Sequence, residues 1–256
     1  MDKWRAEWQS DDFGKAYGDL FFKRATGEAP EMESSKAAAK RMSGHVKADD
    51  HVLDVGCGVG HYYLSLRKTI QLPLHYTGID ATPYYVKRAR EAFAGDSSSE
   101  FVDGDIFNLP FNDATFDVVM CNNVLLHLPS IAKPLAELCR VAKRHILIRT
   151  LIGPKSYVIY DVAPQADGAD FDANCEPVSF HYLNIYSADY VRHLARNLSK
   201  VAKVTITPDK EFDAGRISDT KQLLPGAWDA TGMVGSMQAS GMILQPWTWI
   251  EIALES

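Results

Sequence analysis

At 256 residues the chain is long enough to bury one sizeable hydrophobic core, which excludes a small scaffold held by staples. Lys and Arg number 27 against 33 Asp and Glu, a formal net charge of -6 with no long run of either sign. The sustained cationic stripe that tracks a phosphate backbone is therefore missing, and nucleic acid is disfavoured as a partner.

Trp4, Trp8, Phe13, Tyr17, Phe21 and Phe22 stand among charged residues, and the spacings 4, 8 and 13, 17, 21 put apolar faces on one or two helices. The opening MDKWRAEWQS is charged where a secretory segment needs an apolar stretch, and no apolar run has membrane-spanning length. A cytoplasmic protein with no membrane partner is the expectation. Gly27 and Pro30 close this region, and AAAK favours a further helix from about Met32 to Met42. Residues 1 to 45 thus read as an N-terminal helical cap on a larger domain, 46 to 256.

That domain opens with a strand, His51 to Val55, which runs straight into Gly56-Cys57-Gly58-Val59-Gly60 and then a helix-forming HYYLSLRKTI. Glycines between a buried strand and a helix N-terminus suit a ligand-binding loop. A second strand, His75 to Ile79, ends at Asp80 and leads to a helix over Pro83 to Phe93. Ser99 to Val102 supplies a third strand, followed by the turn Asp103-Gly104-Asp105. Phe116 to Cys121 is a fourth, Ile131 to Ala142 a helix, and His145 to Ile148 a fifth strand. Strands separated by helices in this way are βαβ units around a parallel sheet.

After Thr150 the rhythm changes. Tyr157 to Tyr160 suggests an extra strand, APQADGADFDANCEP is polar and rich in turn formers, and FHYLNIY is aromatic. Ser187 caps a helix to about Leu198, Val201 to Thr207 forms a strand, and Met242 to Leu254 a long final strand whose start is complicated by Pro246. Residues 208 to 241 are too irregular for one continuous element. Insertions are accordingly expected at about 151 to 186 and 208 to 241. Cys57, Cys121, Cys139 and Cys175 form no CxxC pair and read as small core or near-surface residues.

Gly56, Gly58 and Gly60 let the backbone turn sharply and approach a ligand closely. More informative is the order of acids: Asp54 before the glycines, Asp80 at the next strand end, Asp105 in the turn after the third strand. Open α/β sheets place ligands at those carboxyl ends. Carboxylates there accept from an amino group, a pair of ribose hydroxyls and a base amine, whereas phosphate asks for cationic or amide donors. The spacing GxGxG also departs from the GxGxxG of nicotinamide and flavin sites.

Taken in order, VLDVGCGVG, YTGID, GDIFNLPF and FDVVMCNNVLLHLP resemble the class I S-adenosylmethionine-dependent methyltransferases over about residues 50 to 150. The resemblance implies a Rossmann-like α/β fold, with a seven-stranded mostly parallel sheet, flanking helices and an antiparallel final strand. It implies that the loop Gly56 to Gly60 lies beside the methionine and ribose parts of S-adenosylmethionine, with Asp54 orienting the amino group. Asp80 would accept from the ribose hydroxyls with Ala81 beside the adenine, Asp105 and Ile106 would bind and cover the base, and Asn122 would face the methionine portion. Simpler roles compete: Asp80 as a helix cap, Asp105 as a turn former.

On the acceptor side, His127 in NNVLLHLP is a candidate proton acceptor, against a role in fixing the loop before the next helix. His181 is a second candidate; Tyr182 and Asn184 beside it, and Tyr17 and Phe21 of the cap, are candidate substrate contacts. The fifth strand is followed by Arg149 and Thr150 rather than an acidic cluster, so no metal is expected. The expected activity is methyl transfer to oxygen or nitrogen of a small molecule by in-line displacement. Protein methylation and a non-catalytic binding or regulatory role are the alternatives, and a homo-oligomer stays open.

Overall fold

The computed structural model describes residues 11–162, 171–177, 180–211, 231–234, 237–240 and 243–255. Trp4, Trp8 and much of 208 to 241 lie outside them. Two helices lead, α1 (Asp11–Thr26) and α2 (Glu33–Met42). Then follow β1 (Asp50–Val55), α3 (His61–Thr69), β2 (Leu74–Asp80), α4 (Pro83–Ala92), β3 (Ser99–Asp103) and β4 (Phe116–Asn122). A 3-10 turn, Leu125–His127, precedes α5 (Ala132–Val141) and β5 (Ala142–Gly153). The short strands β6 (Tyr160–Asp161), β7 (His181–Tyr182) and β8 (Tyr186–Ser187) lead to α6 (Ala188–Arg196) and β9 (Val201–Pro208). The chain closes with β10 (Thr231–Val234), β11 (Met237–Ser240), β12 (Ile243–Gln245) and β13 (Trp247–Leu254).

The main sheet has the order β3-β2-β1-β4-β5-β13-β9, with β8 added beside β5. Its first five strands are parallel, and β13 is antiparallel to both neighbours. This is the seven-stranded, mostly parallel sheet that the sequence predicts. Period-two alternation sorts its side chains into two cores. Val52, Val118, Met120, Leu147 and Trp249 face α2, α3 and α4, whereas Leu53, Val55, Val119, Cys121, Ile146, Ile148, Ile250 and Ile252 face α5 and α6. Burial on both faces explains why these strands read as almost unbroken apolar runs.

Three boundaries differ from expectation. β5 is longer, because the backbone turns extended at Ala142, the residue that ends α5, and stays paired to Gly153. The final strand divides at Pro246, which has no N–H to give a ladder; β12 folds back on β11 while β13 joins the main sheet. Of Tyr157 to Tyr160, only Tyr160 enters a strand, pairing with Tyr182, while Tyr157 forms a single bridge to Ile185. The Ser187 cap is as expected: its Oγ accepts from the Tyr190 N–H at 3.2 Å.

α1 and α2 pack into the same core as the sheet. The Arg88 guanidinium lies 3.6 Å from the Phe22 ring centre, and Tyr84 donates to Asp19 at 2.9 Å. Cys57, Cys121 and Cys139 are buried, Cys175 is exposed, and all four are free. No helix among the described residues is long and apolar enough to cross a membrane.

Candidate active site

The chain runs outward along β1 and then β2 and β3 on one side of it, before returning to β4 and β5 on the other. The reversal opens a crevice at the carboxyl ends of β1 and β4, where such sheets bind ligands. A cavity of about 440 Å³ lies there.

The loop after β1 is tied to the end of β2, since the Gly56 and Cys57 N–H groups donate to the Ile79 carbonyl at 2.7 and 3.1 Å. Gly56 has φ +77°, and a Cβ at that position would stand 2.2 Å from Val124 Cγ2, so a larger residue does not fit. Asp80 continues the tie: Oδ2 accepts from the Gly58 N–H and Oδ1 from the Thr82 N–H, both at 2.9 Å. Burial pushes its carboxyl above the usual range.

Gly56, Gly58, Asp80, Ala81, Asp105, Ile106 and Asn122 all line the cavity. Asp105 is also a turn former, its Oδ1 accepting from the Phe107 N–H at 2.9 Å. Gly60 is off the wall: it is the left-handed residue at the start of α3, and a Cβ there would meet Phe93 at 2.7 Å. Asp54 is also off the wall, 2% exposed, with Oδ2 accepting from the Tyr76 hydroxyl at 2.7 Å. Burial pushes that carboxyl up to about 7.

Another stretch of the wall carries Tyr17, Phe21, His127, His181 and Tyr182. Phe21 stacks on His61 at 4.6 Å, and burial holds that imidazole down at about 3. His127 Nδ1 lies 2.9 Å from the Tyr182 carbonyl oxygen. A carbonyl only accepts, so Nδ1 carries the proton and Nε2 is the acceptor nitrogen of the neutral ring. Burial lowers the His127 pKa to about 4 despite that bond, and lowers His181 as well, against the charge of Asp161.

Asn184 is not on this wall. It is 1% exposed, its Oδ1 accepts from the Ile159 N–H at 3.1 Å, and its Nδ2 donates to the Leu128 carbonyl at 2.9 Å and the Tyr186 hydroxyl at 3.2 Å. The amide thus clamps three segments behind the wall, which is incompatible with reaching the cavity.

Tyr62 and Asn123 line the cavity without having been singled out by the sequence. Asn123, in left-handed backbone at φ +59°, accepts from Arg149 Nη1 at 2.7 Å and donates to the Tyr62 hydroxyl at 3.1 Å. The Tyr62 hydroxyl in turn donates to Ser34 Oγ at 2.9 Å. Arg149 Nε donates to Asp209 at 2.7 Å, both side chains are at most 1% exposed, and the guanidinium lies 4.1 Å from the Trp247 ring centre. The available signal was an arginine inside the apolar run ILIRTLI, a position that demands a partner.

The donor set suits a nucleoside bearing an amino acid. Both amide atoms of Asn122 are buried on the cavity wall without a hydrogen-bond partner in the protein, a costly state that a bound polar group relieves. Strand-end carboxylates in the same lining answer hydroxyl and amine donors.

Comparison with known proteins agrees with this geometry. Residues 53–147 match the family model of a methyltransferase domain. Norajmaline N-methyltransferase of Rauvolfia serpentina is 30% identical over 190 residues, covering 66% of this chain and 63% of that protein. Demethylmenaquinone methyltransferase of Lactiplantibacillus plantarum is 34% identical over 102 residues, 39% of this chain and 43% of that protein. The chain thus spans less than two thirds of these relatives' length. Phosphoethanolamine N-methyltransferase 2 of Haemonchus contortus, solved with S-adenosyl-L-methionine, superposes with a TM-score of 0.64 at 13% identity, covering 100% of this chain and 61% of that one. At that identity the likeness is one of fold.

Proposed function

We propose a catalytic role for this chain, whose residues 53–147 form a class I S-adenosylmethionine-dependent methyltransferase domain: it transfers the methyl group to an oxygen or nitrogen of a small-molecule acceptor by in-line displacement. The observation that carries the reading is one cavity lined both by strand-end carboxylates and by a histidine whose Nδ1 is held on a backbone carbonyl. Its volume of about 440 Å³ falls in the range of small-molecule sites.

When bound, S-adenosylmethionine supplies a methyl carbon made electrophilic by its sulfonium. Asp80 would hold the ribose hydroxyls, Asp105 and Ile106 the adenine, and the Asn122 amide the amino-acid portion. Asp54 acts at one remove: it anchors Tyr76 at the strand that carries Asp80. Tyr17, Phe21 and Tyr182 give the acceptor an aromatic seat, and positioning of this kind supplies much of the rate in a bimolecular transfer. As the acceptor atom gains the methyl group it gives up its proton, and His127 Nε2 takes that proton to become imidazolium. An imidazole held well below its ordinary pKa is uncharged throughout the neutral range, so Nε2 carries no proton of its own when the acceptor arrives.

The test is transfer from S-adenosylmethionine carrying a trideuteromethyl group into a metabolite extract, with intact proteins assayed in parallel. A labelled small product that depends on the enzyme is expected. Label on protein alone would move the reading to protein methylation, and folded protein that neither binds the cofactor nor transfers label would end it.

A further inference from the structure

We propose that His45, His145 and Glu251 form a binding site for a divalent ion of zinc's class, at the end of the sheet remote from the cavity. The proposal is independent of the methyl-transfer reading, and it departs from the expectation that the chain takes no metal.

The sheet itself assembles the cluster. β5 and β13 run antiparallel with His145 opposite Ala253 and Leu147 opposite Glu251, so His145 and Glu251 are diagonal neighbours on one face. His45, in the turn after α2, stacks its ring on His145 with centres 3.6 Å apart and planes within 10°. One ligand atom from each of the three residues falls within 4.8 Å of the other two. Glu251 divides its carboxylate: Oε1 accepts from Arg41 at 2.5 Å, while Oε2 lies 3.5 Å from His45 Nε2.

One feature goes beyond proximity. His145 is 9% exposed, and its Nε2 is buried without a hydrogen-bond partner, a cost that coordination would relieve. Two imidazoles and one carboxylate oxygen, with solvent completing a tetrahedron, match zinc better than magnesium or calcium, which favour oxygen cages. With bonds of about 2.0 to 2.2 Å, the ligand atoms of a zinc tetrahedron stand roughly 3.3 Å apart, and each imidazole binds in its own ring plane, so His45 must turn out of its stack on His145 for both rings to meet one ion. The ion would fasten the turn after α2 to β5 and β13. None of the three residues lines the cavity.

The test uses the full chain after chelator treatment, with Zn²⁺ titrated against a chromogenic chelator and Co²⁺ as a spectroscopic probe. One equivalent is expected, with visible cobalt bands of tetrahedral intensity and a melting temperature raised by Zn²⁺. His45→Gln and His145→Gln should each weaken binding at least about tenfold and remove the thermal shift, whereas His75→Gln, in the separate His51–His75 stack, should change neither. His45 lies in a turn and keeps 28% of its side-chain surface exposed, so its variant is expected to fold even where the His145 variant does not. Absence of stoichiometric binding by the parent chain, or binding undiminished in His45→Gln, would overturn the proposal.

Discussion

The two walls of the cavity are built by different means. Gly56, Asp80 and Asp105 come from the ends of three successive strands, and local hydrogen bonds set each: Gly56 to Ile79, Asp80 to Gly58 and Thr82, Asp105 to Phe107. Tyr17, His127 and Tyr182 are gathered from distant parts of the chain, and contacts between segments far apart in sequence, such as His127 on the Tyr182 carbonyl, help to hold them. Between the walls, Asn123 and Tyr62 depend on an ion pair buried beneath them, Arg149 with Asp209. Residues fixed by their local backbone suit a constant cofactor, and residues drawn from the cap, the β4 loop and the 151 to 186 insertion are free to suit a particular acceptor.

Substitutions that separate the walls sharpen this contrast. The largest effect is expected on the acceptor side: His127→Gln should lower kcat about 10²- to 10⁴-fold, the usual contribution of a general base, while the affinity for S-adenosylhomocysteine measured by calorimetry stays unchanged. Equal loss of both would make His127 a structural element of the whole cavity. Beneath the walls, Arg149→Ala strands the Asp209 carboxylate, and denaturant unfolding should show a loss of about 3 to 5 kcal/mol; a loss below about 1 kcal/mol would mean the pair is not buried as described. On the cofactor side, Asp80→Ala should weaken S-adenosylhomocysteine binding by about 1.5 to 3 kcal/mol through lost hydrogen bonds, with folding confirmed by melting. Unchanged affinity would remove Asp80 from the site.

The smallest expected effect is on pH dependence. His61, His127 and His145 are held at about 3, 4 and 4, against an ordinary 6.5. Between those values the unfolded chain takes up protons that the fold refuses, so stability is lost as pH falls through this window. Asp54, raised from 3.8 to about 7, works in the opposite sense over part of the same range, and so does Asp80, whose carboxyl is also raised. The three imidazoles outnumber them. The melting temperature should be lower at pH 5 than at pH 7; a flat or inverted profile would place the imidazoles in solvent.

Legibility in the sequence follows the same division. Gly56, Gly58, Asp80, Ala81, Asp105, Ile106 and Asn122 could be picked out because strand, turn and acid are adjacent in the chain, and all of them meet at the cavity. Asn184 looked equivalent to Tyr182 two residues earlier, and only the tertiary structure reveals that its amide is consumed by Ile159, Leu128 and Tyr186. Asn123 and Tyr62 were invisible for the converse reason, since their placement depends on Arg149 and Asp209, which are sixty residues apart. The break at Pro246 was foreshadowed by the residue itself, whereas the length of β5 was not, because its extra residues gain their partners from β4, β13 and β8.

The claim beneath all of this is that the strand-end wall receives a sulfonium nucleoside, and a crystal structure of the chain with S-adenosylhomocysteine tests it most directly. The account predicts the ribose hydroxyls within about 3 Å of the Asp80 carboxylate, the ligand beside Gly56 and Gly58, and the Asn122 amide with partners at last. A nucleoside bound elsewhere, with Asp80 engaged by the protein's own donors alone, would contradict it.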